Sequence, residues 1–457
     1  MTKKKKIQVL SGVLVVLCVI TFGISLYTQK KEEIKTTGET IIELSNDDIS
    51  SLTITYSNNE LSLIKKDDVW HLENDEEFPI DNEKVSDLLS NFNNYTASFI
   101  IENVEDYGQY GLTSPEMTIV IKDKDDKTYT VEFGNYSNMD EKRYVNIGDG
   151  NVYLVNNDLT ESFNIDADSL FLSDDIPTID QAGSITVSGD LNNTIKYLTD
   201  ENMSYNKEDV YYLKDGNKYL ALNTTNVENY LKNSIASLDL SDYVTYTASK
   251  DDLSVYGLDD PDYTITIDYE EDNASKQLVL YLSMNPDDKE KMNSKDNDDT
   301  YYSYLRVGDS ENVYKLSDYY ANKLEALTYD DLRHSEIFNA DFDEVYQIDI
   351  SLDGENYSLN LDDDKWYLDE EDVDIEDLEE SIKNLNTSTF DDLEETSKQE
   401  IMFTFHLNND YSDEYKISLY RVNSSECEVR VNGTVMGAVS RSDVVDLTET
   451  VNAIVLN

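Results

Sequence analysis

Residues 105–121, EDYGQYGLTSPEMTIVI, return without a gap 146 positions later as residues 251–267, DDLSVYGLDDPDYTITI. Tyr110, Gly111, Leu112, Pro115, Thr118, Ile119 and Ile121 recur as Tyr256, Gly257, Leu258, Pro261, Thr264, Ile265 and Ile267. The pattern reads as a helix-to-strand corner. A short helical turn ends at the Gly, which accepts positive φ, the Leu folds back onto the turn, and the Pro stops the helix. The alternation that follows starts a strand. The stretch holds no nucleophile, base or ligand cluster, so it specifies architecture rather than chemistry.

The corner belongs to a larger repeat. In the first module, Leu52 and Ile54 alternate with Thr53 and Thr55, Leu61-Ser62-Leu63 returns, and Lys66-Asp67-Asp68 turns into Val69-Trp70-His71-Leu72. A helix follows, with Asp81 as N-cap and Val85, Leu88, Leu89 and Phe92 on its apolar face. Strands are expected near 116–123, 128–133, 143–148 and 151–155.

The third module repeats the first at an offset of 296, with Trp366-Tyr367-Leu368 in the place of Trp70-His71-Leu72. Asp374 is expected to cap its helix, which turns Leu378, Ile382 and Leu385 inward. The Y-G-L-x-x-P corner is missing there and must be made differently. The second module begins at Ile185 and Val187, puts Tyr211 in the tryptophan place, and caps a helix at Asn223 with Val227, Tyr230 and Leu231 inward. Its segment 285–299, rich in Asp, Lys and Asn, reads as a solvated loop insertion.

The expected organisation is α+β. A basic tail at 1–6 and a transmembrane anchor at 7–27 precede a polar tether at 28–44. Three tandem modules of mostly antiparallel sheet with short helices occupy 45–172, 173–338 and 339–457. Repeats of this length exceed any solenoid period.

Residues 7–27, IQVLSGVLVVLCVITFGISLY, are uncharged and long enough to span a bilayer. They read as an uncleaved signal anchor. The alternative, a cleaved signal peptide, would have Gly23 and Ser25 as its small residues. Cys18 lies mid-span without the small residues a lipobox places before its cysteine. Lys3 to Lys6 precede the span, and Lys30, Lys31 and Lys35 follow it, which favours a cytoplasmic N-terminus and an extracytoplasmic body. The net charge of the chain is −60, and residues 31–457 carry −65. Such a body repels nucleic acid and anionic lipid, so no nucleic-acid partner is expected. Cys427 has no second cysteine outside the span, so disulfides are not part of the scaffold.

With Trp70, Phe78-Pro79-Ile80-Asp81 and Tyr110-Gly111-Leu112-Thr113-Ser114-Pro115, the chain resembles a bacterial family of unknown function. Its members carry one N-terminal membrane segment and tandem modules, each with a Trp strand, an F-P-[IV]-D helix entry and a Y-G-L-x-x-P corner. Some members are encoded beside ABC-type transport components linked to gliding motility. The resemblance implies an envelope accessory role and assigns no activity.

The residues themselves supply little chemistry. His71 and His406 exchange with Tyr, Lys and Asp between the repeats and read as strand-surface positions. His334 has no Cys or second His near it, so no zinc site with converging ligands is expected. Nucleophile-elbow, Walker and dinucleotide motifs are absent from the sequence. The acidic runs 296–299, 362–364 and 370–372 lack the EF-hand order and read as solvated surface with weak Ca²⁺ or other cation association. Tyr211-Tyr212, Tyr301-Tyr302 and Tyr319-Tyr320 could face a sugar or peptide, or pack across strands. The expectation is a protein that is not an enzyme, has no cofactor, and binds the bilayer through 7–27 and another membrane or envelope protein through its modules. The alternative is a surface or wall-facing structural or adhesive repeat protein.

Overall fold

The computed structural model describes residues 33–456 except 58, 200–202, 293–300 and 391–397. The expected membrane span and basic tail therefore lie outside the described residues. Among the described residues no helix is long and apolar enough to cross a membrane. The chain divides into two compact units that meet between Ser173 and Asp174. The first unit holds one sheet and the second unit holds two. All strand pairs among the described residues are antiparallel.

The first sheet contains β1 (Glu33–Thr36), β2 (Thr40–Ile42), β3 (Ile49–Tyr56), β4 (Asn59–Lys66), β5 (Val69–Leu72), β6 (Tyr95–Glu102), β7 (Met117–Asp123), β8 (Thr128–Ser137), β9 (Lys142–Asn146) and β10 (Val152–Val155). Their order is β1-β6-β10-β9-β8-β7-β3-β4-β5, with β2 also on β6. The polar segment 28–44 is thus no free tether in its described part. Its alternating Ile34, Ile42 and Leu44 lay it along β6, and Ile42 and Leu44 are buried.

The second sheet contains β11 (Ala182–Gly189), β12 (Asn193–Tyr197), β13 (Tyr211–Asp215), β14 (Lys218–Ala221), β15 (Tyr243–Thr245), β16 (Tyr263–Glu271), β17 (Ala274–Met284), β18 (Tyr302–Val307) and β19 (Val313–Ser317). Its order is β14-β13-β12-β11-β16-β17-β18-β19-β15. The third contains β20 (Val345–Leu352), β21 (Glu355–Asp362), β22 (Lys365–Leu368), β23 (Glu371–Val373), β24 (Lys398–Leu407), β25 (Glu414–Arg421), β26 (Glu426–Val431) and β27 (Thr434–Ser440), ordered β23-β22-β21-β20-β24-β25-β26-β27.

One plan underlies all three sheets. A meander is followed by a helix, and a second meander then joins the first through its opening strand, as β3·β7, β11·β16 and β20·β24. The register preserves equivalent pairs. Thr53 faces Ser62, Thr186 faces Thr194, and Asp349 faces Ser358.

Asp and Asn make many of the hairpin turns. Asp67-Asp68, Asp272-Asn273 and Asp363-Asp364 all have positive φ, as two-residue turns matched to strand twist require. The run at 362–364, expected to be solvated surface, is therefore also the turn between β21 and β22.

The first-unit helix α1 (Asn82–Ser90) starts where Asp81 accepts N–H groups from Glu83 and Lys84, and it buries Val85 and Leu89. In the second sheet, Asn223 caps α2 (Thr224–Tyr230) through the Asn226 N–H. The segment expected to be a solvated loop at 285–299 begins instead with α3 (Pro286–Met292). Asn285 and Asp288 are buried there, and the Asp288 N–H bonds back to the Asn285 carbonyl. Two more helices follow, α4 (Asp318–Glu325) and α5 (Tyr329–Leu332). In the third sheet, α6 (Glu376–Lys383) has Ile375 rather than Asp374 at its N-cap position. Ile375 is buried, and its apolar contacts fix the helix entry, while Asp374 still accepts the Glu376 N–H at 3.0 Å. The C-terminal α7 (Arg441–Val455) packs on α6 and buries Val444, Leu447 and Val451.

Candidate functional site

Both corners close as the spacing predicts. A 3₁₀ turn at Tyr107–Tyr110 ends at Gly111 with φ 75°, and one at Leu253–Tyr256 ends at Gly257 with φ 70°. The Leu112 N–H reaches the Tyr107 carbonyl and the Gly111 N–H reaches that of Gly108. Leu258 and Gly257 reach Leu253 and Ser254 in the same way. These paired bonds are those of a Schellman motif. Leu112 and Leu258 are buried, and Pro115 and Pro261 stand just ahead of β7 and β16.

The corner packs around β6 and β10 at one end of the sheet. Tyr110 and Leu112 pack with Ile101, Val152 and Leu154, which explains why all four residues of β10 are buried. Leu258 and Leu253 pack with Ala248, Tyr304 and Val313 in the second sheet. The Tyr110 ring lies 4.9 Å from Tyr144, and that of Tyr256 lies 5.1 Å from Tyr304. In the third sheet Thr389 pairs with Ala438 of β27, as β6 pairs with β10, and the segment in the corner's place, 391–397, lies outside the described residues.

The carboxylate next to the corner proline is not among the identities the two copies share, being Glu116 in one and Asp262 in the other. Glu116 accepts from Arg143, whose guanidinium also meets Asp158 and the Gly134 carbonyl. Burial opposes the Arg143 charge, but Asp158 and Glu116 outweigh it and hold the guanidinium above its ordinary value. Asp262 occupies the equivalent place and accepts from the Met284 N–H, Ser283 and Lys289. An acid at the same position in both copies is the signal that was available.

The tryptophans are structural. Trp70 is buried and Trp366 half-buried on the matching strand, and Tyr211 is buried in the second sheet. Tyr212 is buried as well, so the Tyr211-Tyr212 pair presents no binding face. Tyr302 stacks edge-on with Tyr304, whereas Tyr319 stands 63% exposed beside Lys323.

The histidines sit in three different settings. His71 lies on β5, with Nδ1 3.2 Å from the Glu76 carbonyl. His406 lies on β24, with Nε2 2.7 Å from Asp349 Oδ2. Burial opposes ionisation of Asp349, but hydrogen bonds from Ser358, Gln347 and His406 hold it below its ordinary range. His334 places Nε2 2.9 Å from Asp209 Oδ1, and Ser204 Oγ donates to Oδ2 at 2.7 Å. In a hydrolytic triad the imidazole stands between serine and carboxylate. Here the carboxylate stands between, so the histidine does not activate the serine. The Asp209 side chain is 1% exposed, and the cluster ties the second sheet to the chain leading into the third.

Within the second unit, Tyr205 strengthens that tie. Its ring lies edge-on to Tyr411 and Tyr415, at 4.7 and 4.6 Å, and its hydroxyl meets Asn432. Arg333 stacks 3.8 Å from the Phe390 ring and donates to the Met436 carbonyl. Among the described residues no group of three or more His, Cys, Asp or Glu is placed to hold a metal ion. Cys427 is buried and free, and burial pushes its thiol up to about 11.

A family model described as a domain of unknown function, DUF4340, matches residues 70–261 and again 215–402. The chain belongs to this family. Each DUF4340 match starts in the first meander of one sheet and ends at the opening of the second meander of the next. No match to a curated protein or to a solved structure was found.

Proposed function

We propose that this DUF4340 protein is anchored in a membrane by residues 7–27 and acts, without catalysing a reaction, as a protein-binding accessory outside the cytoplasm. Its partner is a membrane protein complex of the ABC-transporter type. The observation that carries the reading is the closeness of the uncharged stretch 7–27 to β1, which opens at Glu33. The five residues between them reach at most about 18 Å. A body so tethered works at the membrane surface. Its charge of −65 over residues 31–457 favours basic protein surfaces over anionic headgroups. The transporter link rests on the family resemblance.

Two experiments test this. External protease on protoplasts or spheroplasts is expected to digest the body and leave the N-terminal segment, and a protected body with proven protease access reverses the orientation. Pull-down of the full chain in mild detergents with quantitative mass spectrometry is expected to enrich a membrane complex. Recovery of the chain alone in every detergent removes the accessory reading and leaves the surface-structural one.

A further inference from the structure

The chain leaves the first two sheets through matching turns. In the first unit Asp166 accepts the Ser169 N–H at 3.0 Å, and the Leu170 carbonyl accepts from the Asp81 N–H at 2.8 Å. In the second sheet Thr328 accepts the Asp331 N–H at 3.2 Å, and the Leu332 carbonyl accepts from the Asn223 N–H at 2.9 Å. These matched bonds make Ile165 the counterpart of Leu327. The strand register extends the match. Ile54 pairs with Ile119 and with Leu61, and Val187 pairs with Ile265 and with Asn193. Ile119 and Ile265 are equivalent in the repeat, so Leu61 stands where Asn193 stands.

The two copies differ in how this segment meets the sheet. Leu327 is fully buried, and the Asn193 carboxamide on β12 donates to its carbonyl at 3.0 Å. Leu61 has no donor to make that bond, and Ile165 is only half-buried. A groove of about 410 Å³ opens between residues 164–167 and β3, β4 and β5. Its apolar lining includes the buried Ile54, Leu61 and Leu72. The charged residues along it are Glu60, Glu73 and Asp166, all acidic and exposed. Ser169 holds the Asp166 carboxyl below its ordinary range. Among the described residues none of the three acids makes an ion pair. An apolar cleft rimmed by unpaired like charges favours an apolar group that brings the opposite charge with it.

We propose that this groove takes an apolar side chain flanked by lysine or arginine, presented by the partner protein. The inference rests on the reading that this chain binds protein. The apolar side chain fills the cleft against Ile54, Leu61 and Leu72, and the flanking cations meet Glu60, Glu73 and Asp166 at its rim. A buried anchor within a polar rim is the usual division between affinity and selectivity at such a contact.

The probe is the peptide Lys-Lys-Leu-Phe-Lys-Lys, added to the full chain in detergent. The controls are Glu-Glu-Leu-Phe-Glu-Glu and Lys-Lys-Ser-Ser-Lys-Lys. The probe is expected to slow amide exchange in residues 59–62 and 164–168 by about three-fold or more, and neither control does so. Glu60→Lys combined with Glu73→Lys is expected to weaken the probe by about ten-fold at low salt and by less at high salt. Both sites are exposed, so the melt of this variant is expected to match wild type. Leu61→Asn gives β4 the donor that β12 has, and is expected to bury Ile165 and exclude the probe. Unchanged exchange in 164–168, or equal slowing by all three peptides, overturns the proposal. Slowing that grows with protein concentration alone makes a second copy the occupant and also overturns it. A pull-down partner retained by the charge-reversed chain overturns the groove as its docking site and leaves protein binding standing. A wild-type chain that takes the probe but recovers no partner removes the accessory reading and leaves the chemistry of the groove.

Discussion

Arg143 Nη1 lies 2.5 Å from Glu116 Oε2, so the residue after the corner proline is tied to a strand 27 positions later. The same guanidinium meets Asp158 at 2.8 Å and is only 11% exposed as a side chain. The corner, the second meander and the chain leaving β10 therefore share one buried cation. Asp262, in the equivalent place, uses Lys289 and the Met284 N–H instead. The repeat conserves the acid and varies what it binds.

Removing the cation should cost more than removing the acid. Arg143→Met leaves Asp158 and Glu116 facing each other without compensation. The expected loss is about 2–3 kcal/mol, below the full cost of breaking a buried pair because Glu116 is half-exposed. Glu116→Gln should cost about 1 kcal/mol or less. Urea melts of the full chain in detergent, followed by exchange of the β7–β9 amides, check this. An equal loss for both variants would show that the acid, not the cation, ties the corner.

The two corner glycines should respond differently. A Cβ at Gly111 meets the Asn135 carboxamide and, at 2.9 Å, the Asn135 backbone N, which cannot move away cheaply. A Cβ at Gly257 meets Ser283 Oγ at 2.8 Å, a hydroxyl that can turn away at the cost of its 3.2 Å bond to Asp262. Both positions carry positive φ, so Gly→Val should cost about 1–2 kcal/mol or more at each. Gly111→Ala should exceed Gly257→Ala. Thermal melts of the full chain decide, and equal shifts would leave only the backbone term.

Tyr205→Ala should loosen the second sheet from the third without unfolding either. It removes two edge-on ring contacts and the bond to Asn432, at a cost of about 1–2 kcal/mol. Tyr205→Phe should keep most of this. Hydrogen exchange is expected to speed up around residues 203–210 while the β11–β19 ladder stays protected. Protection unchanged at 203–210 would place the tie in His334–Asp209 and Arg333 instead.

Glu325 gives a pH signature. Burial, with Asp262, Asp190 and Asp318 close by, raises its carboxyl above the ordinary 4.5. A carboxyl raised on folding adds stability that is fully present below its unfolded value and lost as pH rises through the folded one. At pH 7 the charged Glu325 therefore costs stability. Glu325→Gln is expected to melt higher than wild type at pH 7, with the advantage closing below about pH 4. A variant that melts no higher at pH 7 would show that solvent already screens the group.

The sequence by itself determined the units that local physics controls. A Gly with positive φ before a buried Leu and a Pro permits few conformations, so Gly111 and Gly257 could be read without coordinates. The helices capped by Asp81 and Asn223, and the strands that alternate around Trp70 and Trp366, follow from the same short-range rules. Only the tertiary structure decided what depends on distant partners. That the polar stretch 33–44 forms strands along β6 required an open edge, because its own alternation is short and interrupted. That Asn285 and Asp288 are buried, and that Ile375 takes the N-cap position while Asp374 still accepts the Glu376 N–H, depended on which surface covered them. Arg143 with Glu116 and His334 with Asp209 are joined across 27 and 125 positions. A hydrogen bond between side chains far apart in sequence leaves no periodic trace in either segment, so folding alone discloses it.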